Sequence, residues 1–169
     1  MSGHLQVGVI GSASCDDDIS HIAERVGTLV AANKAVLITG GRTGVMEAAS
    51  RGAKKAGGLV VSILPGASKS ESNPYVDITI PTDMGHARNA IIARSSDCLI
   101  AIAGGFGTLS EVAIGLKIQR PVVVLASAWK IPGTIEVCSA EEAVNTALSL
   151  CGRGETILPN SLINEDQTS

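Results

Sequence analysis

Residues 98–111 read CLIAIAGGFGTLSE: an apolar run, a glycine-rich turn, and the start of a segment of helical length that continues to Ile118. The apolar residues follow one another without polar alternation, which is typical of a strand that helices cover on both faces. A strand that passes through a short turn into a helix is the repeating unit of a parallel sheet. This stretch therefore predicts an α/β fold.

The same order of apolar run, turn and amphipathic segment recurs along the chain. The predicted strands are Leu5–Ile10, Ala35–Thr39, Leu59–Leu64, Val76–Ile80, Cys98–Ala103, Pro121–Leu125 and a short Ile135–Cys138. The predicted helices are Asp16–Ala32, Gly44–Ala56, Gly85–Ser95, Thr108–Ile118 and Ala140–Leu150. We predict a single Rossmann-like domain over residues 1–169, with a mainly parallel sheet of about seven strands, helices on both faces and a polar tail from about residue 152.

Composition argues against several classes of function. The formal net charge is −3 and 2% of the residues are aromatic, so the stacking surfaces of proteins that bind single-stranded nucleic acid are not expected. No apolar stretch approaches the roughly 18 residues of a membrane span, and no membrane partner is expected. The first residues lack the basic flank and long apolar region of a secretory signal, which predicts a cytoplasmic protein.

The cysteines and histidines do not suggest a metal site. The cysteines are widely separated and show no ligand spacing, so they are interpreted as free thiols: Cys15, Cys98, Cys138 and Cys151. His86 is interpreted as a loop histidine, because His4 and His21 are not placed to join it. No metal held by protein ligands is expected.

Glycines collect where the predicted strands end, which is where open parallel sheets bind their ligands. Gly11 follows the first strand, Gly40 through Gly44 follow the second, and Gly104 through Gly107 follow the fifth. A glycine-rich turn that opens a helix presents unpaired N–H groups and the positive end of the helix dipole, which suit a phosphate. For any one loop a tight turn is an equal explanation, but two double-glycine loops on one rim favour a binding site.

Familiar nucleotide motifs are missing. No Gly-Lys pair occurs, which argues against a P-loop, and the first strand ends without the GxGxxG of a dinucleotide fold. Ser12 or Ser14 as a nucleophile would need a nearby base, and His21 lies inside the following helix. Helix capping is the better interpretation of these serines.

Glu111 has two interpretations. Thr108 and Glu111 fit a T-x-x-E capping box, and Ser139 and Glu142 show the same spacing without a glycine loop. On pattern alone a structural role is slightly favoured over a functional one. Arg88 is equally open: at the start of a helix a cation needs an anionic partner, either a carboxylate or a ligand phosphate, unless it is a solvated surface residue.

Three stretches together resemble the Lonely Guy superfamily, often labelled lysine decarboxylases. They are Thr39-Gly40-Gly41 with Gly44-Val45-Met46, then Arg88-Asn89, then Gly104-Gly105 through Glu111, within a similarity that runs from about Val7 to Leu125. The characterised enzymes release cytokinin bases from nucleoside monophosphates and typically carry Pro-Gly-Gly-x-Gly-Thr-x-x-Glu and Arg-Lys. Here Ala103 replaces the proline and Asn89 the lysine, which makes the chain more similar to the molybdenum cofactor carrier branch.

The resemblance implies a carrier that binds molybdenum cofactor (molybdopterin) through its phosphate. The alternative is a phosphoribohydrolase in which Arg88 and Glu111 are catalytic, since both match the enzymes. The candidate binding residues are Gly11, Ser12, Gly40, Gly41, Arg42, Thr43, Gly44, Arg88, Asn89, Gly104, Gly105, Gly107, Thr108 and Glu111.

Self-association is also expected. Apolar side chains spread around the helix predicted over Thr108–Ile118, beyond what one sheet can cover, and the same surface of a second copy is the simplest cover. The resemblance likewise implies a homo-oligomer, a dimer or a tetramer.

Overall fold

The structure is a computed structural model that describes residues 4–152. Its seven strands form one sheet in which every pairing is parallel. They are β1 (Gln6–Gly11), β2 (Val36–Thr39), β3 (Val60–Leu64), β4 (Ile78–Pro81), β5 (Cys98–Ile102), β6 (Val122–Leu125) and β7 (Ile135–Val137). The helices are α1 (Asp17–Ala32), α2 (Val45–Lys55), α3 (Asn89–Ser95), α4 (Phe106–Lys117) and α5 (Ala140–Gly152). The predicted α/β, Rossmann-like fold is confirmed, and most of the predicted polar tail lies outside the described residues.

The strand order explains where a ligand can bind. The order β4-β3-β2-β1-β5-β6-β7 runs outward from β1 in both directions, so the chain reverses its direction of winding between β1 and β5. The loops that follow these two strands diverge and leave a crevice at the carboxyl edge of the sheet. β1 and β5 pair from Val7 with Cys98 to Gly11 with Ile102, so their carboxyl ends lie level.

Apolar side chains cover both faces of the sheet, as the uninterrupted apolar runs predicted. On one face α1, α2 and α5 pack on side chains such as Val9, Leu37 and Ile100. On the other, α3 and α4 pack on side chains such as Ile10 and Ile63. No helix within residues 4–152 is long and apolar enough to cross a membrane.

Most predicted boundaries were wrong by at most two residues, and one helix differs more. The helix predicted over Gly85–Ser95 divides into a 3-10 turn, Gly85–Arg88, and α3. The helix after β5, predicted to start at Thr108, starts two residues earlier at Phe106, which matters for the site. The capping role of Ser12 and Ser14 was also wrong, because the Asp16 carboxylate accepts the Ile19 N–H at 2.9 Å and caps α1.

Candidate functional site

A cavity of about 280 Å³ lies in the crevice at the carboxyl edge of the sheet. Its walls come from the loops after β1, β2 and β5 and from the turn that precedes α3. The lining residues are Ile10, Gly11, Ser12, Ala13, Gly40, Arg42, Met46, His86, Arg88, Asn89, Gly105, Gly107, Thr108 and Glu111. Segments far apart in sequence thus meet where the strand order predicts a ligand site.

Most candidate residues line this cavity, but Gly41, Thr43, Gly44 and Gly104 do not. The Thr43 hydroxyl donates to the Ala13 carbonyl at 2.7 Å and ties the loop after β2 to the loop after β1. Gly104 has φ +113°, and a Cβ there would lie 2.5 Å from the Thr108 hydroxyl, so glycine is required for the turn itself. Thr43 and Gly104 therefore shape the loops that carry the lining residues.

Four lining residues did not figure among the candidates: Ile10, Ala13, Met46 and His86. Met46 lies two residues after Gly44, in one of the stretches that resemble the Lonely Guy superfamily, and His86 lies two residues before Arg88. Their closeness in sequence to candidate residues was the one indication that they could line the site. These residues line the cavity only because separate loops converge there. His86, interpreted as a loop histidine, lies in the 3-10 turn at the cavity wall.

The amino terminus of α4 opens into the cavity. Gly105 is its N-cap, and the first turn has no side-chain cap and no acidic residue, whereas the first turns of α1, α2 and α5 all contain carboxylates. The first N–H groups of a helix have no partner within it, and here they belong to Phe106, Gly107 and Thr108. A Cβ at Gly105 or Gly107 would meet nothing within 4 Å, so the space in front of the turn is open.

The capping box predicted for Thr108 and Glu111 was wrong. Because α4 begins at Phe106, Thr108 lies inside the first turn and Glu111 in the second, too far along to reach back to the cap. The Asn89 amide instead braces this turn: it donates to the Ser110 hydroxyl at 2.8 Å, and that hydroxyl donates to the Gly107 carbonyl at 2.7 Å. Asn89 thus ties the start of α3 to the amino terminus of α4.

Arg88 is buried in the cavity wall, with 9% of its surface exposed, which rules out a solvated surface role. One guanidinium nitrogen donates to the Ile63 carbonyl, while Nε is buried without a hydrogen-bond partner in the described part of the chain. No carboxylate of residues 4–152 forms an ion pair with it. Gly40 makes room for the guanidinium, since a Cβ there would lie 2.4 Å from Nη1.

Glu111 is buried in the same wall, with 6% of its surface exposed. Burial raises the pKa of this carboxyl to about 8, and the positive charge of Arg88 only partly opposes the rise. Burial likewise lowers the pKa of Arg88, against the effect of Glu111 and with a smaller contribution from Arg42. At neutral pH the cavity therefore holds two guanidinium groups and a largely protonated carboxyl.

This arrangement can bind an anion. Unpaired N–H groups, a buried guanidinium with an unused donor, and open space in front of them are the elements of a phosphate site. Arg42, exposed at the edge of the cavity, adds a second positive charge. No described cluster of three or more His, Cys, Asp or Glu side chains could hold a metal ion.

Two solved structures are similar over their whole length. The molybdenum cofactor binding protein of Rippkaea orientalis is 38% identical with a TM-score of 0.85, and the match covers 89% of this chain and 99% of that one. The molybdenum cofactor carrier protein of Chlamydomonas reinhardtii is 33% identical with a TM-score of 0.83 and coverage of 89% and 100%. The predicted likeness to the carrier branch is therefore confirmed.

Sequence relatives complete the assignment. An uncharacterized protein of Archaeoglobus fulgidus is 52% identical over 145 residues, covering 86% of this chain and 95% of that protein. A cytokinin riboside 5′-monophosphate phosphoribohydrolase of Arabidopsis thaliana is 40% identical over 76 residues, but this match spans 43% of the chain and 33% of the enzyme. The SLOG cluster4 family model matches residues 4–151, and the chain therefore belongs to this Lonely Guy-type family.

Proposed function

We propose that this chain is a carrier that binds a phosphorylated small molecule in the cavity, and that its cargo is molybdenum cofactor. The observation that carries the phosphate site is the buried guanidinium of Arg88, which has an unused Nε donor and no carboxylate partner among residues 4–152. A buried cation without an anionic partner is costly, and a bound phosphate would compensate it. The likeness to two proteins named for molybdenum cofactor supports the choice of cargo.

Each part of the wall has a distinct task in this proposal. The N–H groups of Phe106, Gly107 and Thr108 donate to the phosphate, aided by the helix dipole. Arg88 supplies a charged donor from the cavity wall, and Arg42 attracts the anion from the cavity edge. Glu111 does not repel the phosphate, because its raised pKa of about 8 keeps the carboxyl mostly protonated at neutral pH.

Mass spectrometry of the natural ligand tests the cargo. Protein purified gently from a host that makes molybdenum cofactor is expected to release molybdopterin or its oxidised pterin products on denaturation. The same preparation of an Arg94→Met variant, altered at an exposed position on α3, is the control and should release as much. Adenine nucleotides alone, with no measurable affinity for molybdopterin, would contradict the carrier proposal.

The second candidate is a phosphoribohydrolase, favoured by one observation: Glu111 is free of any cap and lies in the cavity with Arg88. Cleavage of an N-glycosidic bond passes through an oxocarbenium-like transition state, which an ionised carboxylate stabilises. The raised pKa of Glu111 leaves little carboxylate at neutral pH, and this favours the carrier. Release of adenine from AMP, abolished in Glu111→Ala, would establish the enzyme instead.

We also propose that the chain self-associates through α4. On α4, Ala113 is exposed and Leu109, Ile114 and Leu116 are half-buried, so that Ile114 and Leu116, although they pack against the core, keep part of their apolar surface uncovered. Light scattering at micromolar concentration is expected to give at least twice the 17.2 kDa mass of one chain. Ile114→Glu should shift the assembly toward monomer, because it places a charge in the contact, whereas Leu59→Glu, just before β3, should not. A monodisperse wild-type monomer would contradict the proposal.

A further inference from the structure

Two of the chain's three aromatic residues lie together beside the cavity. Phe106 is the first residue of α4, between Gly105 and Gly107, and both glycines line the cavity. Its ring stacks on that of Trp129, from the loop between β6 and β7, with 6.4 Å between ring centroids and 28° between ring planes. Neither aromatic residue lines the cavity, but the Cα of Phe106 lies about 3.8 Å from those of two residues that do, so the pair lies next to the cavity.

The exposure of Phe106 is unusual for this molecule. Its side chain is 87% exposed, whereas the other exposed large apolar residues, Leu59, Ile78, Ile80 and Met84, are 44–49% exposed. The contact with Trp129 leaves most of the Phe106 side chain exposed to water. This stacking therefore does not remove the apolar surface of Phe106 from solvent. The Trp129 backbone is held by its own loop, since the Trp129 backbone N–H donates to the Ser127 hydroxyl at 3.1 Å.

We propose that Phe106 and Trp129 form a platform on which the flat heterocycle of the ligand stacks while the phosphate lies at the amino terminus of α4. This rests on the proposed phosphate site and narrows the ligand to a phosphorylated fused nitrogen heterocycle, such as a pterin or a purine, and away from plain sugar phosphates. An exposed aromatic face stacks well on any such ring, because each ring has a π surface to bury. The continuity of Phe106 with Gly105 and Gly107 places ring and phosphate sites side by side.

Two probes separate the ring from the phosphate. Guanosine 5′-monophosphate carries both groups, and ribose 5-phosphate carries the phosphate without the ring. Calorimetric titration should show that guanosine 5′-monophosphate binds about fivefold to a hundredfold more tightly, the range that stacking of one base supports. Trp129 is the chain's single tryptophan, so its fluorescence should be quenched by guanosine 5′-monophosphate and unchanged by ribose 5-phosphate.

Variants of Phe106 test whether the tighter binding of guanosine 5′-monophosphate comes from stacking on the Phe106 ring. Phe106→Ala should remove most of the preference for guanosine 5′-monophosphate and leave the affinity for ribose 5-phosphate unchanged, while Phe106→Tyr should retain the preference. Leu59→Ala, which removes exposed apolar surface at the amino edge of β3, is the control and should change neither affinity. Melting curves of each variant check that the fold is retained.

Three results would overturn the platform. Equal binding of the two probes by the wild type would leave the phosphate site intact and remove the stacking. Loss of both affinities in Phe106→Ala would assign Phe106 to the helix terminus, and a change in oligomeric mass without a change in ring preference would assign it to a contact between copies. Failure of the wild type to bind either probe would instead remove the proposed phosphate site, and the platform with it.

Discussion

Glu111→Gln is expected to raise the melting temperature by roughly 5–10 °C at pH 8 and to leave it unchanged at about pH 4. The variant keeps the size of the side chain and removes its ionisation. In the folded chain the carboxyl has a pKa of about 8 because it is buried, against an ordinary value of 4.5. The wild type therefore carries a penalty at pH 8 that the variant lacks.

The direction of this pH effect on stability follows from proton binding. Between pH 4.5 and about 8 the folded chain retains a proton that the unfolded chain has released, so rising pH favours unfolding. Each pH unit in this window costs about 1.4 kcal/mol, which makes the whole effect several kcal/mol. Below the window both states are protonated and the penalty disappears.

Thermal melts monitored by circular dichroism across this pH range measure the effect. Glu136→Gln, an exposed position on β7, is the matched control and should follow the wild type at every pH. A gain in Glu111→Gln of equal size at pH 4 and pH 8 would contradict the role of ionisation. Such a stabilised variant would also show that Glu111 is retained at a cost to the fold, which is typical of functional sites.

Strands and helices could be predicted from the sequence because they depend on local periodicity. The run at Cys98–Ile102 is apolar at every position, and it forms a central strand with both faces covered. The cluster of glycines at the ends of β2 and β5 likewise predicted the edge of the sheet where the cavity lies. Gly40 and Gly105 reach the cavity for that reason.

The start of α4 could not be predicted because its cap depends on backbone conformation. The Thr108 and Glu111 spacing matches a capping box, yet Gly105 takes the extended N-cap conformation three residues earlier without a side-chain cap. Ser139 and Glu142, with the same spacing, form most of a capping box: the Ser139 hydroxyl accepts the Glu142 N–H at 3.1 Å, and the Glu142 carboxylate accepts the Cys138 N–H, one residue before the cap, at 3.0 Å. The glycines around Phe106 allow the helix to start earlier. Glu111 therefore does not bond to the helix cap and lines the cavity instead.

The burial of Arg88 could not be predicted either, because it depends on three separate segments. Its guanidinium lies against Gly40 from one loop and donates to Ile63 from a neighbouring strand, while Glu111 influences it from α4. A single sequence contains no local signal of such an arrangement. The pattern could therefore place Arg88 at a helix start but could not decide between solvent, a carboxylate and a ligand.

Arg88→Met is expected to weaken binding of a phosphorylated ligand by about a hundredfold or more while the protein stays folded. Methionine has similar length and fills the space beside Gly40, but it cannot donate hydrogen bonds, and each bond from a charged donor contributes about 1.5–3 kcal/mol. The Ile63 carbonyl loses its charged donor, and this cost is offset because a buried cation is removed as well.

Calorimetric titration with guanosine 5′-monophosphate, together with the amount of molybdopterin that co-purifies, measures the loss. Arg94→Met makes the same chemical change on the exposed side of α3 and should bind as the wild type does. The affinity of Arg88→Lys should lie between those of Arg88→Met and the wild type. A lysine keeps the charge but lacks the planar guanidinium, whose Nε and Nη2 can donate to one phosphate together. Equal affinity in Arg88→Met and the wild type would mean that the unused Nε donor of Arg88 does not bind the ligand. The phosphate would then have to be held by the amino terminus of α4 and Arg42 alone.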